Sequence, residues 1–240
     1  ICMTNLDFSV VICTFNGAGR IPKLLDRLKT QRNLTELNWE VLVVDNNSDD
    51  ETASVVKAHQ EEWMCLPKRF FLRYCFEQKQ GLAYARRCAI RNVQSPLLGF
   101  LDDDTFPENT WVYEAWKFAS NHPEAGAFGS EIKPIYEITP PEGFRRIAPL
   151  FAIIERGNNP YIYAKHPGVL PAGAGVVIRK EAWLANVPDV PFVTGVKKNL
   201  LSGKGEDVET LNYIRDGGWE IWHNPAMKIS HYMPAARLEP

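Results

Sequence analysis

Residues 8–101 carry the feature that most constrains this chain: short apolar, β-branched or aromatic runs alternate with segments whose apolar residues recur at helical spacing. That rhythm predicts βαβ units and a largely parallel sheet. Residues 8–13 read as a buried strand, and Ile21, Leu24, Leu25 and Leu28 follow at helical spacing, with Pro22 near the helix start where its missing N–H costs little. A second strand is expected at 39–44. Ser48 and Glu51 have the spacing of a capping box, which predicts a helix from there through about His59. A third strand at 70–76, a helix at 82–93 after Gly81 and a fourth strand at 97–101 complete the pattern.

Beyond Asp104 the regularity weakens. Helical spacing returns at 110–119, a strand pattern at 125–132, a strand at 175–178, a helix at 206–215 and a strand at 219–222. Residues 134–171 contain seven prolines among several Gly and Asn, so this stretch reads mostly as loop. A long loop inside a compact chain suits a lid or substrate-binding excursion better than a linker. With 240 residues and no composition break, one domain over 1–240 is expected, its halves at about 8–104 and 105–240.

Composition excludes several classes. At 45% hydrophobic and 23% charged, the chain can bury a core and is neither disordered nor fibrous. Lys and Arg number 27 against 29 Asp and Glu, leaving no basic excess for a nucleic-acid backbone. The five cysteines are odd in number and lack a C-x-x-C pair, which fits a reducing compartment and no zinc ribbon. No apolar run reaches the roughly 18 to 20 residues of a spanning helix, and residues 1–9 lack the basic-then-apolar pattern of a secretion signal. The sequons at Asn33 and Asn46 therefore read as chance matches. Peripheral contact with a membrane is compatible with all of this.

In a parallel sheet every strand delivers its carboxyl end to one edge, and ligands bind in the crevice there. Strand one is followed by Thr14-Phe-Asn16-Gly17, strand two by Asp45-Asn-Asn-Ser48-Asp-Asp50, and strand four by Asp102-Asp103-Asp104. Three adjacent carboxylates repel unless something positive joins them, and hard oxygen ligands suit Mg²⁺ or Mn²⁺. A solvated turn is the plain alternative, but the triplet directly follows an apolar strand. Asp45 suits a turn as well as it suits hydrogen bonds to a base or ribose. Arg86 and Arg87 fit a solvated helix face better than a phosphate or an acidic cluster. Asp207 opens a late helix, either as a dipole-matching carboxylate or as a general base. His231 is structural, or a neutral ligand completing a metal shell.

Taken together, Thr14-Phe-Asn16, Val43-Val-Asp45-Asn-x-Ser48-x-Asp50, Gly81-Leu-Ala-x-Ala-Arg86, Phe100-Leu-Asp-Asp-Asp104, Gly173-Ala-Gly175 and Gly205-Glu-Asp207 resemble, in order and spacing, the family 2 glycosyltransferases of GT-A fold. More narrowly, the chain is similar to cyanobacterial enzymes of hormogonium polysaccharide biosynthesis. The resemblance implies an α/β, Rossmann-like architecture with a mixed, mainly parallel central sheet flanked by helices. It also implies an inverting, metal-dependent transfer from a nucleoside-diphosphate sugar, with UDP favoured, to a glycan or lipid-linked saccharide. Such chemistry belongs in the cytoplasm, at the inner face of the plasma membrane. By the same resemblance Thr14 and Asn16 line the nucleotide pocket and Asp45 binds the base. Asp102 or Asp103 contacts ribose or sugar, and Arg86 steadies the nucleotide side. Asp104 ligates Mn²⁺ or Mg²⁺, His231 completes the shell, Asp207 is the catalytic base and Glu206 shapes the acceptor pocket. The Q-x-x-R-W motif of processive synthases is absent, so one sugar per encounter is expected.

Two rivals have features of their own. Asp102-x-Asp104 after an apolar strand also resembles the nucleophile motif of haloacid dehalogenase phosphohydrolases, which place it on their first strand and follow it with Thr or Val where this chain has Phe106. A non-catalytic nucleotide- or carbohydrate-binding module could stack Trp219 and Trp222 on sugars, although core packing suits those side chains better.

Overall fold

A computed structural model describes residues 5–66, 70–163, 169–194 and 205–238. The chain begins β1 (Phe8–Thr14), α1 (Ile21–Lys29), β2 (Trp39–Asp45), α2 (Thr52–Met64), β3 (Phe70–Phe76), α3 (Leu82–Asn92) and β4 (Leu97–Leu101). β1 pairs in parallel with β2 and β4, and β2 with β3. Every residue of β2 and β4 is buried, which is why these strands read as unbroken apolar runs: helices cover both faces. On α1 the four apolar residues at helical spacing are all fully buried against that sheet.

The second half continues the same sheet with β5 (Thr105–Pro107), α4 (Trp111–Asn121), β6 (Ala125–Tyr136), β7 (Tyr161–Ile162), β8 (Val177–Arg179), α5 (Lys180–Asn186), α6 (Glu206–Asp216) and β9 (Glu220–Met233). The strand order is β3-β2-β1-β4-β8-β6-β9-β5, with β7 paired to β9. β8 and β5 enter antiparallel, whereas β6 and β9 run parallel to each other. The sheet is thus mixed, and one apolar core runs across both halves, from Phe8 and Val10 to Met227 and Ile229.

Several expectations need correction. The capping box does not form: Ser48 Oγ instead accepts the Asn16 N–H at 2.9 Å, Glu51 accepts the Ser54 hydroxyl, and α2 begins at Thr52, whose N–H bonds Asp50 at 3.0 Å. The helix then runs past His59 to Met64. The strand expected at 219–222 is the start of the fourteen-residue β9, which Asn224-Pro225 interrupts with a register shift opposite Ser130 and Glu131. Among the described residues of 134–171 the expectation of mostly loop holds, the exceptions being the end of β6, two 3₁₀ turns at Phe144–Arg146 and Ala148–Phe151, and β7. Trp219 and Trp222 pack against the core, as the aromatic-area argument expects.

Candidate active site

The carboxylate triplet occupies the tight link between β4 and β5. Both the N–H and the hydroxyl of Thr105 bond the Asp102 carbonyl, at 3.0 and 2.7 Å, so the three side chains fan out at the sheet edge. Each meets different partners. Asp103 accepts the Thr14 hydroxyl at 2.5 Å and is gripped by Arg20, Nε to Oδ1 at 2.7 Å and Nη2 to Oδ2 at 2.9 Å. Gly17 keeps this arrangement open, since a Cβ there would collide with the Thr14 hydroxyl and approach Asp103 Oδ2 at 2.9 Å.

Asp104 faces the far end of β9. Because Thr105 on β5 stands opposite His231, the register brings His231 Nε2 to 3.3 Å from Asp104 Oδ1, and Arg237 Nη2 lies 3.0 Å from Oδ2. Burial pushes the Asp104 carboxyl up, but His231 and Arg237 outweigh it and hold the group below its ordinary value. Asp102 goes the other way: burial, then repulsion from Asp104, raises it to about 6 despite Arg86.

Asp102 to Asp104, Thr14, Arg20 and Arg237 border a pocket of about 310 Å³ at the carboxyl edge of β1, β2 and β4. This is the low end of the size range of small-ligand sites. Asn46, Gln80, Gly81 and Ala85 complete its opposite wall. Asn46 is fixed there by carbonyls of Glu77 and Lys79 and by the Gly81 N–H. Gly81 has φ +133° and opens α3 where a side chain would strike the Thr194 carbonyl, so glycine is required.

Several expected residues stand differently from a pocket lining, among them Glu206, which is buried and borders neither this pocket nor the larger cleft beside it. Asn16 clasps Asp49, donating to Oδ1 at 2.6 Å and accepting its N–H at 3.0 Å; Phe15 lines the pocket in its place. Asp45 is buried, with Oδ1 accepting the Ser48 N–H three residues on and Oδ2 accepting the Tyr74 hydroxyl, at 2.9 and 2.8 Å. The arginines are not on a solvated face. Arg86 is 3% and Arg87 6% exposed, and Arg87 holds the Pro188 carbonyl while Arg86 joins an acidic cluster.

That cluster links the triplet to α6. Arg86 Nη1 lies 3.7 Å from Glu206 Oε1, and its charge also acts on Asp207 and Asp102. Arg86 Nε is a buried donor without a hydrogen-bond partner among the described residues. Asp207, in the first turn of α6, accepts the Gly173 N–H at 2.8 Å on Oδ2 and the Val208 N–H at 2.8 Å on Oδ1. Each carboxylate oxygen keeps a lone pair for an incoming hydroxyl. Gly173 lies so close to both groups that a Cβ would strike Arg86 Nη2 and come within 3.0 Å of Asp207. Its loop is braced from the core: Trp111 Nε1 donates to Ser130 Oγ at 3.0 Å, which donates to the Gly175 carbonyl at 2.6 Å.

Arg20 and Arg237 escaped the sequence reading. Arg20 carried a usable signal, three residues after Gly17 at the mouth of the first strand end. Arg237 follows His231 by six residues, at the end of a 3₁₀ turn over Ala235–Arg237, and carries none.

As for a metal, Asp104 and His231 supply one hard oxygen and one imidazole nitrogen facing each other, and His231 Nδ1 is buried without a hydrogen-bond partner among the described residues. The nitrogen that faces Asp104 is Nε2, and the Arg237 guanidinium already touches both groups, 3.0 Å from Asp104 Oδ2 and 3.3 Å from His231 Nε2, so a divalent cation held by the pair would have to displace Arg237 and take its other ligands from substrate or water. Among the described residues no group of three or more His, Cys, Asp or Glu could hold an ion alone.

Comparison with known proteins bears on this geometry. The family model "Glycosyl transferase family 2" matches residues 9–177. The chain is 29% identical over 231 residues to "Uncharacterized glycosyltransferase YfnE" of Bacillus subtilis, covering 93% of this chain and 53% of that protein. It is 35% identical over 96 residues to a validoxylamine A glucosyltransferase of Streptomyces hygroscopicus, 39% of this chain and 21% of that one. The chain thus spans about half or less of these relatives. TarS of S. aureus shares the fold, with a TM-score of 0.66 at 16% identity over 95% of this chain and 37% of that one; in its complex with UDP the score is 0.64, over 96% and 61%. The haloacid dehalogenase alternative falls with this match, since the triplet follows β4 and not a first strand. The sheet, the strand-edge carboxylates and the family match agree: the chain belongs to glycosyl transferase family 2.

Proposed function

We propose that this chain carries the catalytic domain of an inverting, metal-dependent glycosyltransferase acting on a nucleoside-diphosphate sugar, with UDP as the favoured nucleotide. The observation that carries the reading is the meeting, through Arg86, of the triplet at the end of β4 with the Glu206-Asp207 pair that opens α6. A donor-binding carboxylate set and a base on a separate element are what a single in-line displacement needs. The UDP complex of the structurally similar TarS supports the choice of nucleotide.

In this reading Thr14, Arg20 and Asp103 border the nucleotide, with Asn46 opposite. Asp207 takes the proton from the acceptor hydroxyl as that oxygen attacks the anomeric carbon, and the Gly173 and Val208 amides hold the carboxylate in place. Asp104 and His231 would hold Mn²⁺ or Mg²⁺, which when bound offsets the charge developing on the leaving diphosphate. The acceptor is a glycan or lipid-linked saccharide in polysaccharide biosynthesis. The site of action is the cytoplasm, at the inner face of the plasma membrane. No helix among the described residues is long and apolar enough to cross a membrane.

The test is Asp207→Asn in the purified protein, assayed against UDP-sugars with a panel of saccharide acceptors. Turnover is expected to fall about 10³-fold with UDP affinity retained; near-wild-type turnover would remove Asp207 as the base. Asp104→Ala should abolish the extra thermal stabilisation that Mn²⁺ gives the UDP complex, and an unchanged shift would remove Asp104 from the metal site.

A further inference from the structure

Beside the donor pocket lies a second, larger cleft of about 1100 Å³, between α1 and the ends of β5, β6 and β9. Arg20, Asp103, Asp104 and Arg237 border both spaces and so form the partition between them. The nucleotide reading leaves this cleft without a role.

Its charges can be matched one by one. Of the three carboxylates in its walls, Asp103 is paired with Arg20 at 2.7 Å, Asp104 with Arg237 at 3.0 Å, and Asp26 with Lys29 at 2.8 Å. Lys23 and Arg27 remain. They stand four residues apart on one face of α1, both exposed, and neither is in an ion pair among the described residues. Lys29 lies outside the walls and also pairs with Glu62 at 2.8 Å, so the walls themselves carry four cationic and three anionic side chains, a surplus of one positive charge in a chain that is slightly acidic as a whole. The wall across from them is apolar, formed by Phe106, Ile135, Tyr232 and Pro234.

We propose that this cleft binds a phosphate ester borne by the acceptor, with Lys23 and Arg27 as its anion contacts and the apolar wall receiving the organic group next to the phosphate. An arginine fork matches phosphate oxygens in two-point geometry and a lysine adds a point charge, so the pair suits a phosphate better than a neutral hydroxyl. The partition sets the acceptor's anionic group apart from the donor diphosphate, because Arg20 and Arg237 stand between them and each is already tied to an aspartate. The word acceptor rests on the glycosyl-transfer reading above; the anion site itself does not.

The shared chemistry could reside on a phosphorylated sugar or on a lipid phosphate, so two probes are used, glucose 1-phosphate and farnesyl phosphate, with glucose and farnesol as neutral controls. Calorimetry is run on the full chain with and without saturating UDP and Mn²⁺, comparing wild type with K23E/R27E and K23Q/R27Q. At least one phosphorylated probe should bind wild type in the presence of UDP. It should lose about tenfold in affinity or more in both variants, while UDP affinity and melting temperature stay unchanged. Tighter farnesyl phosphate binding assigns the lipid source, and tighter glucose 1-phosphate binding the sugar source. Equal affinity in wild type and variants, displacement of the probe by UDP, or equal binding of the neutral controls overturns the proposal. Failure of wild type to bind UDP counts against the donor reading alone, since the probe titration without UDP still reports on Lys23 and Arg27.

Discussion

Arg20 and Asp103 meet in a two-point ion pair, Nε to Oδ1 at 2.7 Å and Nη2 to Oδ2 at 2.9 Å, on the boundary of the pocket of about 310 Å³ proposed to take the donor. The pair fixes which way the central carboxylate of the triplet points. Because Arg20 is 46% exposed at its side chain, the pair should add only about 0–1 kcal/mol to stability. Arg20→Ala should therefore leave the melting temperature within a few degrees while weakening UDP binding about tenfold, as read by calorimetry.

Gly173→Ala places a methyl group against Arg86 and within 3.0 Å of Asp207 Oδ2. If Asp207 is the base, as proposed, its displacement should lower kcat about a hundredfold with little change in donor affinity. Steady-state kinetics against both substrates separates the two effects.

Arg86 is buried among Glu206, Asp207 and Asp102. Removing it strands buried carboxylates, so Arg86→Met should cost about 3–5 kcal/mol in urea denaturation. The double variant R86M/E206Q should recover part of that loss, because it also removes the charge left unpaired.

His223 is fully buried, and burial together with Arg156 lowers its pKa to about 4, even though Glu131 Oε2 approaches Nε2 at 3.5 Å. The unfolded chain then binds a proton near 6.5 that the folded chain refuses until about 4. The contribution of neutral His223 is accordingly present above about pH 6.5 and is lost as pH falls toward 4. His223→Gln should flatten the dependence of unfolding free energy on pH across that window.

Thiol reactivity should divide sharply. Burial pushes both Cys13 and Cys88 up to about 12, whereas Cys65 is exposed. Iodoacetamide at pH 8 should alkylate Cys65 in the folded protein and reach Cys13 and Cys88 only after denaturation, as peptide mass mapping will show.

The first half of the fold was legible because its strands are apolar on both faces and its helices repeat at fixed spacing. The strand-edge rule then brought Thr14 and the triplet together from distant positions. Other features depended on tertiary partners. β5 is three residues long and exists because β9 supplies its hydrogen bonds. β9 is obscured by Pro225, and the Ser48 hydroxyl that suggested a cap is taken by Asn16. Arg86 looked solvated because its charge partners, Glu206 and Asp207, lie far along the chain. The pairing of His231 with Asp104 depends on a register between two strands, which no local pattern encodes.

The chain of hydrogen bonds from Trp111 through Ser130 to the Gly175 carbonyl anchors the loop that supplies the Gly173 N–H to Asp207. None of its members belongs to the irregular stretch between β6 and β7. That stretch is nonetheless joined to the same sheet, since Ile154 is buried in the core and bridges Ile132, and the Arg156 N–H bonds Glu131. Libraries confined to its exposed positions, such as Ile147 and Leu150, should leave the Gly173–Asp207 contact intact more often than libraries built at 171–176.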